Sequence, residues 1–482
     1  MAARPMILIK DVHWTYHSTH EMALDGLDLH VRRGETVVLC GPSGSGKSTA
    51  LRLMNGLIPH FHEGILDGEV RVNGAPITDL AQIGRVTGTV LQHPRRQFFT
   101  DAVDAELAFA LENFGTPPPE IRDRVSHVTT DFGLAGFAGR LHELSGGQQQ
   151  RVACAAAVTH KPPLLLLDEP TSNLSPRSIK DLTATLRRLR ESGTTLVIGE
   201  HRLHYLRGLA DRIVVLRDGR VHREWTSAEF ARLTDDALRE EGLRGIDTPP
   251  RTYATTVSAH GPSVAPGSAR TSTTSDTGIM LRGIRCAFHG HRALDIEQAH
   301  LPAGMITAVT GPNGTGKSTL ARIIAGLQRH NGQVLLDGNP LSRAQRQRAT
   351  AVVMQDVQRQ LFTDSVTAEL RLDMSPEHGE HAAAVLTDLD LADLGDRHPL
   401  SLSGGQQQRL VVATARLSGR RIVIFDEPSS GVDHRHLRSM TRTMRTVADT
   451  GAVVVLISHD ADLLAIAADQ QLRLQPIQQA RF

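Results

Sequence analysis

The chain alternates between short apolar runs and longer segments with helical periodicity. In its first half, the runs Glu35–Cys40, Leu164–Glu169 and Thr195–Ile198 predict buried strands, because strands of a parallel sheet are covered on both faces. Helical periodicity covers residues 105–141 and is broken by the prolines at 117–119. This alternation predicts an α/β fold with its ligand at the carboxyl ends of the strands. Further strands are predicted at Ile7–Lys10, Leu27–Val31, Gly68–Gly74 and Val86–Leu91.

The second half of the chain repeats the first. A Leu-Ser-Gly-Gly-Gln segment precedes an Asp-Glu pair in each half, and the serine and the glutamate are 24 residues apart in both. A histidine follows each glutamate by 32 residues. Between the halves, the composition changes to Pro, Ser and Thr with few large apolar side chains. We therefore predict a first domain at 1–245, a flexible linker at 246–277 and a second domain at 278–482.

Size and composition agree with two domains. A chain of 482 residues exceeds the usual size of a single core, and a net charge of +1 gives no reason to expect a nucleic-acid surface. The three cysteines, Cys40, Cys154 and Cys286, show neither disulfide nor metal-ligand spacing, so a reducing cytoplasm is expected. No stretch approaches the roughly 18 apolar residues of a membrane span. Met1–Lys10 is expected to contain the first strand and not a signal peptide.

The strongest chemical pattern is G-x-x-x-x-G-K-[ST], which is typical of loops that bind nucleotide phosphates. It follows a predicted strand and precedes a predicted helix. Its glycines let backbone N–H groups surround phosphate oxygens, its lysine reaches the β- and γ-phosphates, and its serine hydroxyl is a ligand for Mg²⁺. We predict two nucleoside triphosphate sites. They are formed by Gly41, Pro42, Ser43, Gly44, Ser45, Gly46, Lys47, Ser48 and Thr49, and by Gly311, Pro312, Asn313, Gly314, Thr315, Gly316, Lys317, Ser318 and Thr319.

Each half also has two adjacent carboxylates at the end of an apolar strand, Asp168-Glu169 and Asp426-Glu427. Buried carboxylates are costly without a cation, so helix capping is the weaker explanation. The aspartate is expected to hold Mg²⁺ through a water, and the glutamate to orient or polarise the attacking water. The pair therefore predicts hydrolysis of the nucleotide and not binding alone.

The Leu-Ser-Gly-Gly-Gln segments are similar to the signature of the ATP-binding cassette (ABC) ATPases, and the resemblance covers almost everything outside the predicted linker, twice over. It implies that each half has a mostly parallel sheet, an antiparallel β part and a helical subdomain. A serine hydroxyl and glycine amides at a helix N-terminus form an anion site. The resemblance implies that this site faces the γ-phosphate held by the other half, in a head-to-tail pair. The signature residues are Ser145, Gly146, Gly147 and Gln148, and Ser403, Gly404, Gly405 and Gln406.

Three more residues in each half resemble family positions. They are an aromatic side chain that stacks on adenine, a glutamine that contacts Mg²⁺ and senses the membrane partner, and a histidine that contacts the γ-phosphate. For the aromatic residues, packing in the core is the alternative. In this order they are Tyr16, Gln92 and His201 in the first half and Phe288, Gln355 and His459 in the second. The Mg²⁺ ligands implied are Ser48, Gln92, Asp168, Ser318, Gln355 and Asp426.

Two departures from the family pattern distinguish the halves. Ser175 lies where the family usually has an aspartate, which the second half keeps as Asp433. His201 follows Glu200, whereas the second half has the more usual Ser458 before its histidine. Both halves keep the lysine, the glutamate and the histidine, so we predict two competent ATP sites, each completed by the signature segment of the other half.

A second glutamine follows the predicted metal-contacting glutamine by five residues in each half, at Gln97 and Gln360. The segments that follow resemble the ATPase components of energy-coupling factor importers, which take up vitamins or transition-metal ions. The resemblance implies coupling and substrate-binding subunits in the membrane and a location at its cytoplasmic face. The pairs Phe98-Phe99 and Leu361-Phe362 would line a groove for a coupling helix, with local packing as the alternative.

Two other functions stay open at this point. One is the fused ATPase of a conventional ABC importer or exporter. The other is a soluble pair of cassettes acting on ribosomes or nucleic acid, although such proteins usually have a long, charged helical connector. The Pro/Ser/Thr-rich linker and the near-neutral charge favour transport.

Overall fold

The computed structural model describes most of both predicted halves. The described residues are 4–17, 22–92, 94–137, 140–172, 174–245, 256–258, 277–288, 291–312, 314–354, 357–372, 374, 381–429 and 432–477. The chain forms two compact units, Met1–Asp247 and Thr248–Phe482. The division falls inside the segment predicted as a linker. Since most of that segment lies outside the described residues, the linker stays a prediction.

The first unit contains two sheets and a set of helices. Its strands are β1 (Ile7–Tyr16), β2 (Met22–Val31), β3 (Thr36–Cys40), β4 (Gly64–Val72), β5 (Ala75–Pro76), β6 (Thr87–Val90), β7 (Leu164–Asp168), β8 (Thr195–Gly199), β9 (Arg212–Arg217) and β10 (Arg220–Thr226). Its helices are α1 (Lys47–Met54), α2 (Leu57–His60), α3 (Leu80–Val86), α4 (Val103–Asn113), α5 (Pro118–Asp131), α6 (Gly146–Val158), α7 (Pro176–Glu191), α8 (Ser227–Arg232) and α9 (Asp235–Glu240).

The second unit repeats this plan. Its strands are β11 (Thr256–Ser258), β12 (Gly278–Phe288), β13 (His291–Pro302), β14 (Ile306–Thr310), β15 (Asn331–Leu336), β16 (Asn339–Pro340), β17 (Thr350–Val353), β18 (Ile422–Asp426), β19 (Val453–Ile457) and β20 (Gln470–Arg473). Its helices are α10 (Lys317–Ile324), α11 (Arg343–Ala349), α12 (Val366–Arg371), α13 (Ala382–Asp388), α14 (Gly404–Leu417), α15 (His434–Asp449) and α16 (Ala461–Ala467).

Each unit has one mostly parallel sheet and one antiparallel sheet. In the first unit, the six-stranded sheet has the order β10-β9-β3-β8-β7-β6, in which only the edge pair β10–β9 is antiparallel. The antiparallel sheet has the order β2-β1-β4-β5. The corresponding orders in the second unit are β11-β20-β14-β19-β18-β17 and β13-β12-β15-β16. The predicted α/β fold with an antiparallel part is confirmed.

The edges of the two parallel sheets differ. In the first unit, β10 closes the edge beside β9 by antiparallel pairing. In the second unit, β11 pairs in parallel with β20 at the corresponding edge. These three residues lie inside the segment predicted as a flexible linker, and they satisfy backbone groups at a sheet edge.

The apolar strands are buried on both faces, as their sequence predicted. In β7, Leu165 and Leu167 pack on the helical side of the sheet, whereas Leu164 and Leu166 pack on the side of the antiparallel sheet. Successive side chains of a strand point to opposite faces, so a continuous apolar run serves two cores at once. The second unit repeats this division along β18. The carboxylate-bearing end of each strand is therefore fixed from both sides.

Helices α4, α5 and α6 form the helical part of the first unit. The helical segment predicted at 105–141 is interrupted at 114–117, slightly before the predicted break at 117–119: α4 ends at Asn113, and α5 begins at Pro118, where a proline needs no N–H partner. α5 ends at Asp131, so the predicted helical segment ends about ten residues early. The predicted Asn73-Gly74 turn also forms, with φ angles of 55° and 83°. Among the described residues, no helix has the length and apolarity to cross a bilayer.

Candidate nucleotide sites

In the first unit, the phosphate loop joins the end of β3 to the start of α1, as predicted. Gly41 has a φ angle of 140°, and a Cβ on it would lie 2.2 Å from the carbonyl oxygen of Leu216. Only glycine fits there. Lys47 is buried, and its Nζ donates to the carbonyl oxygens of Gly41 at 3.0 Å and Pro42 at 2.9 Å. The ammonium group therefore lies inside the loop that the pattern assigns to phosphates.

The end of β7 brings a carboxylate to the start of α1. Ser48 Oγ donates to Asp168 Oδ1 at 3.0 Å. Burial and the negative charge of Glu169 raise the pKa of Asp168 to about 6, despite this hydrogen bond. A hydroxyl and a carboxylate are the oxygen ligands that Mg²⁺ prefers. A cation at this point would offset the cost of ionising Asp168, so these two side chains fit a magnesium ion.

The glutamates after β7 and β18 share an unusual backbone conformation. Glu169 and Glu427 have φ angles of 45° and 51°. Their N–H groups donate to the carbonyl oxygens of Gly199 and Ile457, each at 2.8 Å. A left-handed conformation costs a residue other than glycine about 1–3 kcal/mol, and such strain is concentrated at functional sites. The same strain at the same position in both units supports a chemical role for these two carboxylates.

Glu169 is held by two side chains from different loops. Gln92 Nε2 donates to Glu169 Oε2 at 2.9 Å, and His201 Nε2 lies 3.3 Å from Glu169 Oε1. Burial and the charge of Lys47 lower the pKa of His201, so its neutral imidazole can donate Nε2–H to Glu169. Burial opposes the ionisation of Glu169, but the hydrogen bond of His201 and the positive charges of Lys47 and Arg244 outweigh it and lower its pKa. Glu169 is therefore a carboxylate.

Glu200 has a structural role that the sequence did not predict. It is 2% exposed, and it accepts hydrogen bonds from the backbone N–H of His201 at 2.8 Å and from Tyr205 Oη at 3.1 Å. It also accepts bonds from the backbone and the hydroxyl of Thr171. Glu200 thus fixes the loop that carries His201. The signal for it was present, since a glutamate directly after a wholly apolar strand needs partners.

The second unit repeats the phosphate loop. Lys317 Nζ donates to the carbonyl oxygens of Gly311 at 2.9 Å and Pro312 at 3.0 Å. Burial raises the pKa of Asp426 against the hydrogen bond of Ser318. The predicted site residues Asn313 and Gln355 lie outside the described residues.

The histidine loop of the second unit is built differently. Ser458 Oγ and the backbone N–H of His459 both donate to Glu427 Oε2, at 3.3 Å and 3.2 Å. His459 Nε2 lies 3.9 Å from Glu427 Oε1, farther than in the first unit. Asp460 accepts a hydrogen bond from the hydroxyl of Ser429 at 2.7 Å. In the first unit, Glu200 accepts the corresponding bond from the hydroxyl of Thr171. Both sites have a glutamate and a histidine at corresponding positions, but the hydrogen bonds around the histidine differ.

The two predicted adenine-stacking residues have different surroundings. Tyr16 is partly buried beside Trp14, with ring centroids 5.5 Å apart, and its hydroxyl lies 3.2 Å from Thr49 Oγ1 at the start of the phosphate-loop helix. Tyr16 therefore lies next to the nucleotide loop and also packs against the core. Phe288 is 40% exposed, which argues against core packing as its main role. Stacking on adenine stays a prediction for both.

The signature segments form exposed helix N-termini. Ser145 and Ser403 cap α6 and α14 in reciprocal capping boxes with Gln148 and Gln406. Both serines are exposed. Exposed backbone N–H groups at the start of a long helix can bind an anion, as predicted for these segments.

Ser175, which departs from the family pattern, still caps a helix. Ser175 Oγ accepts the backbone N–H of Ser178 at 3.2 Å and caps α7. Asp433 Oδ1 accepts the backbone N–H of His436 at 2.8 Å and caps α15. Serine and aspartate cap a helix about equally well, so the exchange leaves the start of α7 stabilised.

Comparison with known proteins identifies the family of the chain. The model of the ABC transporter family matches residues 24–172 and 295–430, one stretch in each unit. A putative ABC transporter ATP-binding protein of Treponema denticola is 39% identical over 475 residues, which cover 97% of this chain and 95% of that protein. The chain belongs to the ABC transporter ATPases, as a protein with two tandem cassettes that bind and hydrolyse ATP.

Two further comparisons bear on its function. A putative HMP/thiamine import ATP-binding protein of Bacillus subtilis is 30% identical over 491 residues, covering 97% of this chain and 90% of that protein. A model of ribosome-bound archaeal Pelota and ABCE1 matches with a TM-score of 0.66 and 21% identity, covering 97% of this chain and 78% of that one. The second similarity concerns the fold alone.

Asp168→Asn should stabilise the protein in the absence of nucleotide and Mg²⁺. Raising the pKa of Asp168 from 3.8 to about 6 costs folding up to about 3 kcal/mol. This cost is fully present above pH 6 and is lost as the pH falls toward 3.8, because the folded state then gains its proton. Thermal unfolding in EDTA at pH 7.5 should show a higher midpoint for the variant, with a difference that shrinks toward pH 5.

The exposed Asp123→Asn change is the control and should leave the midpoint unchanged. If Asp168→Asn unfolds at or below the wild-type temperature at pH 7.5, burial of this ionised carboxylate does not destabilise the fold.

Proposed function

We propose that this chain is the ATP-hydrolysing motor subunit of a membrane transporter, of the energy-coupling factor kind that imports a vitamin or a transition-metal ion. The observation that carries the proposal is a pair of matching loops, one in each unit, that present an exposed phenylalanine from a rigid base. The HMP/thiamine import protein similar to this chain along nearly its whole length also supports import of a small organic molecule. We place the chain at the cytoplasmic face of the membrane, beside a coupling subunit and a substrate-binding subunit.

The proposed chemistry assigns one role to each residue. Lys47 and Lys317 bind the β- and γ-phosphates, and Glu169 and Glu427 orient the attacking water and accept its proton. The ionised carboxylate of Glu169 can accept a hydrogen bond from the attacking water. His201 and its counterpart contact the γ-phosphate. A Mg²⁺ ion held by the serine, the aspartate and the first glutamine would neutralise charge on the phosphates.

We propose further that each site is completed by the signature segment of the other cassette. The exposed N-termini of α6 and α14 support this, since each offers free N–H groups to an anion. A linker on one chain raises the effective concentration of the two cassettes for each other. ATP bound between them would close the pair, and hydrolysis would release it.

The second glutamine of each half bonds to the backbone at the end of the strand that precedes the first. Gln97 Oε1 accepts the backbone N–H of Leu91 at 2.9 Å, and its Nε2 donates to the carbonyl oxygen of Thr89 at 2.9 Å. Gln360 makes the same two bonds to Met354 and Val352, at 2.7 Å and 2.6 Å. In both units an amide side chain thus substitutes for a neighbouring strand. The second glutamine, which is part of the sequence resemblance to energy-coupling factor ATPases, therefore has a structural role in both units.

A buried glutamate holds the next part of each loop. Glu106 Oε2 accepts the backbone N–H groups of Phe99 at 3.1 Å and Thr100 at 2.9 Å. Glu369 Oε2 accepts those of Phe362 and Thr363 at 3.0 Å and 2.9 Å. The two glutamates are 5% and 4% exposed. Charge-assisted bonds of this kind are strong, so the loop has a fixed shape.

Two phenylalanines project from these rigid loops. Phe99 is 75% exposed and Phe362 is 79% exposed. Phe99 stacks on Phe109 of α4, with ring centroids 4.7 Å apart. An aromatic side chain kept exposed on a rigid loop is suited to contact a partner. Leu361 is buried by local packing. Phe99 and Phe362 stay mostly exposed, and we assign them to a coupling helix of the membrane subunit.

The same loops are connected to the signature helices. Arg95 Nε donates to Gln149 Oε1 at 3.1 Å in the first unit. In the second unit, Gln358 Nε2 donates to Gln407 Oε1 at 3.1 Å. Both partners on the helix are buried and lie next to the signature glutamine. Movement of a docked membrane subunit can therefore be transmitted to the signature segment through one side-chain pair.

The alternatives differ in what binds this surface. A fused ATPase of a conventional importer or exporter would also use a coupling helix, and it differs from our proposal in its membrane subunits. A ribosome-bound pair of cassettes, like the archaeal protein of the same fold, would bind ribosomal components. The Pro/Ser/Thr-rich segment between the cassettes and the net charge of +1 favour transport.

The double variant Glu169→Gln, Glu427→Gln should hydrolyse ATP at least 100-fold more slowly than the wild type, because a positioned base contributes about 10²–10⁴ in rate. Release of phosphate with Mg²⁺ present measures this. ATP binding should persist, and the exposed changes Glu112→Gln and Glu297→Gln should have no effect. Hydrolysis by the double variant at the wild-type rate would refute the assignment of these glutamates.

The double variant Phe99→Ala, Phe362→Ala should keep the basal ATPase rate but lose binding to membranes that contain the transporter subunits. The share of the chain recovered with sedimented membranes measures this and should fall several-fold. Phe61→Ala is the matched control, since this side chain is 71% exposed and belongs to a different segment. Equal membrane binding by the wild type and the double variant would count against these phenylalanines as the docking site.

A further inference from the structure

The backbone around Glu427 is fixed by hydrogen bonds on both sides. The N–H of Glu427 donates to the carbonyl oxygen of Ile457 at 2.8 Å. The next carbonyl oxygen, that of Pro428, accepts a hydrogen bond from Nε2 of Gln408. Glu427 has a φ angle of 51°, and a residue other than glycine keeps such a conformation only where its surroundings determine it. The side chain of Gln408 is therefore part of what holds Glu427 in place.

Gln408 belongs to the helix that begins at the signature segment. It lies on α14, five residues after Ser403, and it is 4% exposed. Buried amide groups need hydrogen-bond partners, and the carbonyl oxygen of Pro428 supplies one from a different segment of the chain. This one side chain connects the signature helix to the loop that carries Glu427 in the same cassette.

The corresponding glutamine of the first cassette does not make this connection. Gln150 lies on α6, five residues after Ser145, and it is also 4% exposed. Its Nε2 has no hydrogen-bond partner among the residues that the structure describes. Together with Leu174 and Ser178, it lines a cavity of about 20 Å³, which has room for about one water molecule. Gln150 therefore leaves α6 without the bond that Gln408 gives α14.

The first cassette holds the loop after its glutamate from the histidine loop. Glu200 Oε1 accepts the backbone N–H of Thr171 at 3.2 Å, and Arg202 Nη1 donates to the carbonyl oxygen of Thr171, also at 3.2 Å. Thr171 follows Glu169 by two residues. Both glutamates are thus held through the backbone that follows them, but in the second cassette one of the side chains that hold it comes from the signature helix.

We propose that Gln408 is a positioning residue for Glu427, through which the signature helix of the second cassette controls hydrolysis at the site in its own cassette. The inference rests on the proposed role of Glu427, which is to orient the attacking water. A displacement of α14 would move the carbonyl group of Pro428 and, with it, the carboxylate of Glu427. The same displacement of α6 would not be transmitted through Gln150. The two sites should therefore depend differently on their own signature helices.

The same helix is also connected to the proposed docking loop. Gln358 Nε2 donates to Gln407 Oε1 at 3.1 Å, and Gln407 is the residue before Gln408. Gln358 lies on the loop that presents Phe362. Two adjacent glutamines of α14 thus connect the docking loop and the loop of Glu427 to one helix.

The test measures hydrolysis at each site of the full chain separately. Vanadate traps ADP at a site that has hydrolysed ATP, and a photoreactive azido group on the adenine labels the cassette that holds it, so mass spectrometry of labelled peptides gives an initial trapping rate for each cassette. Gln408→Met keeps the side-chain length and removes the donor. It should lower the rate in the second cassette about fivefold or more and leave the first cassette within about twofold of the wild type.

The KM for ATP and the unfolding temperature of Gln408→Met should stay close to those of the wild type, because the bond acts on the position of Glu427 and not on nucleotide binding. Gln150→Met is the matched control at the corresponding position of the first cassette. It should change the trapping rate of neither cassette.

Several outcomes would contradict the proposal. An unchanged rate in Gln408→Met would show that its bond does not position Glu427. A loss in both cassettes, a loss in the first alone, or a loss with a higher KM and a lower unfolding temperature would show that Gln408 stabilises the fold or the signature segment instead.

The proposed role of Glu427 is tested separately with Glu427→Gln. If this variant traps nucleotide in the second cassette as fast as the wild type, that role is wrong, whatever the result for Gln408. If the wild type traps none in its second cassette, the proposed second site fails, and the inference fails with it.

Discussion

Two adjacent carboxylates at the end of a strand buried on both faces are the constraint on which each site depends. The sheet fixes Asp168 and Glu169 where water is scarce, and their charges oppose each other. Their surroundings give the two carboxylates different properties. Asp168 needs a cation to stay ionised, whereas Glu169 is ionised and is held by Gln92 and His201. This difference suits hydrolysis of a magnesium nucleotide, because one carboxylate can serve the metal and the other the water.

Most of this arrangement could be predicted from the sequence. Continuous apolar runs such as Leu164–Asp168 are typical of a covered parallel sheet, and the glycine pattern at 41–48 can form only a tight loop. The φ angles of Glu169 and Glu427 could not be predicted, because they result from packing between distant strands.

The two units keep the same chemistry while differing in its supports. Glu200 holds the histidine loop in the first unit, whereas Asp460 and Ser458 share this work in the second. Ser175 and Asp433 cap equivalent helices with different side chains. Such substitutions preserve the position of the reacting groups and alter their environment. Two cassettes on one chain can therefore have unequal sites, which two copies of one chain cannot.

The direct test of a transport function is to identify what the chain binds in the cell. The tagged chain would be purified from detergent-solubilised membranes and, in parallel, from a ribosome gradient, and the bound proteins would be identified by mass spectrometry. We predict a stoichiometric integral membrane protein that changes the rate of ATP hydrolysis when it is added back. A chain found with ribosomal subunits, and with no membrane protein bound, would contradict the account.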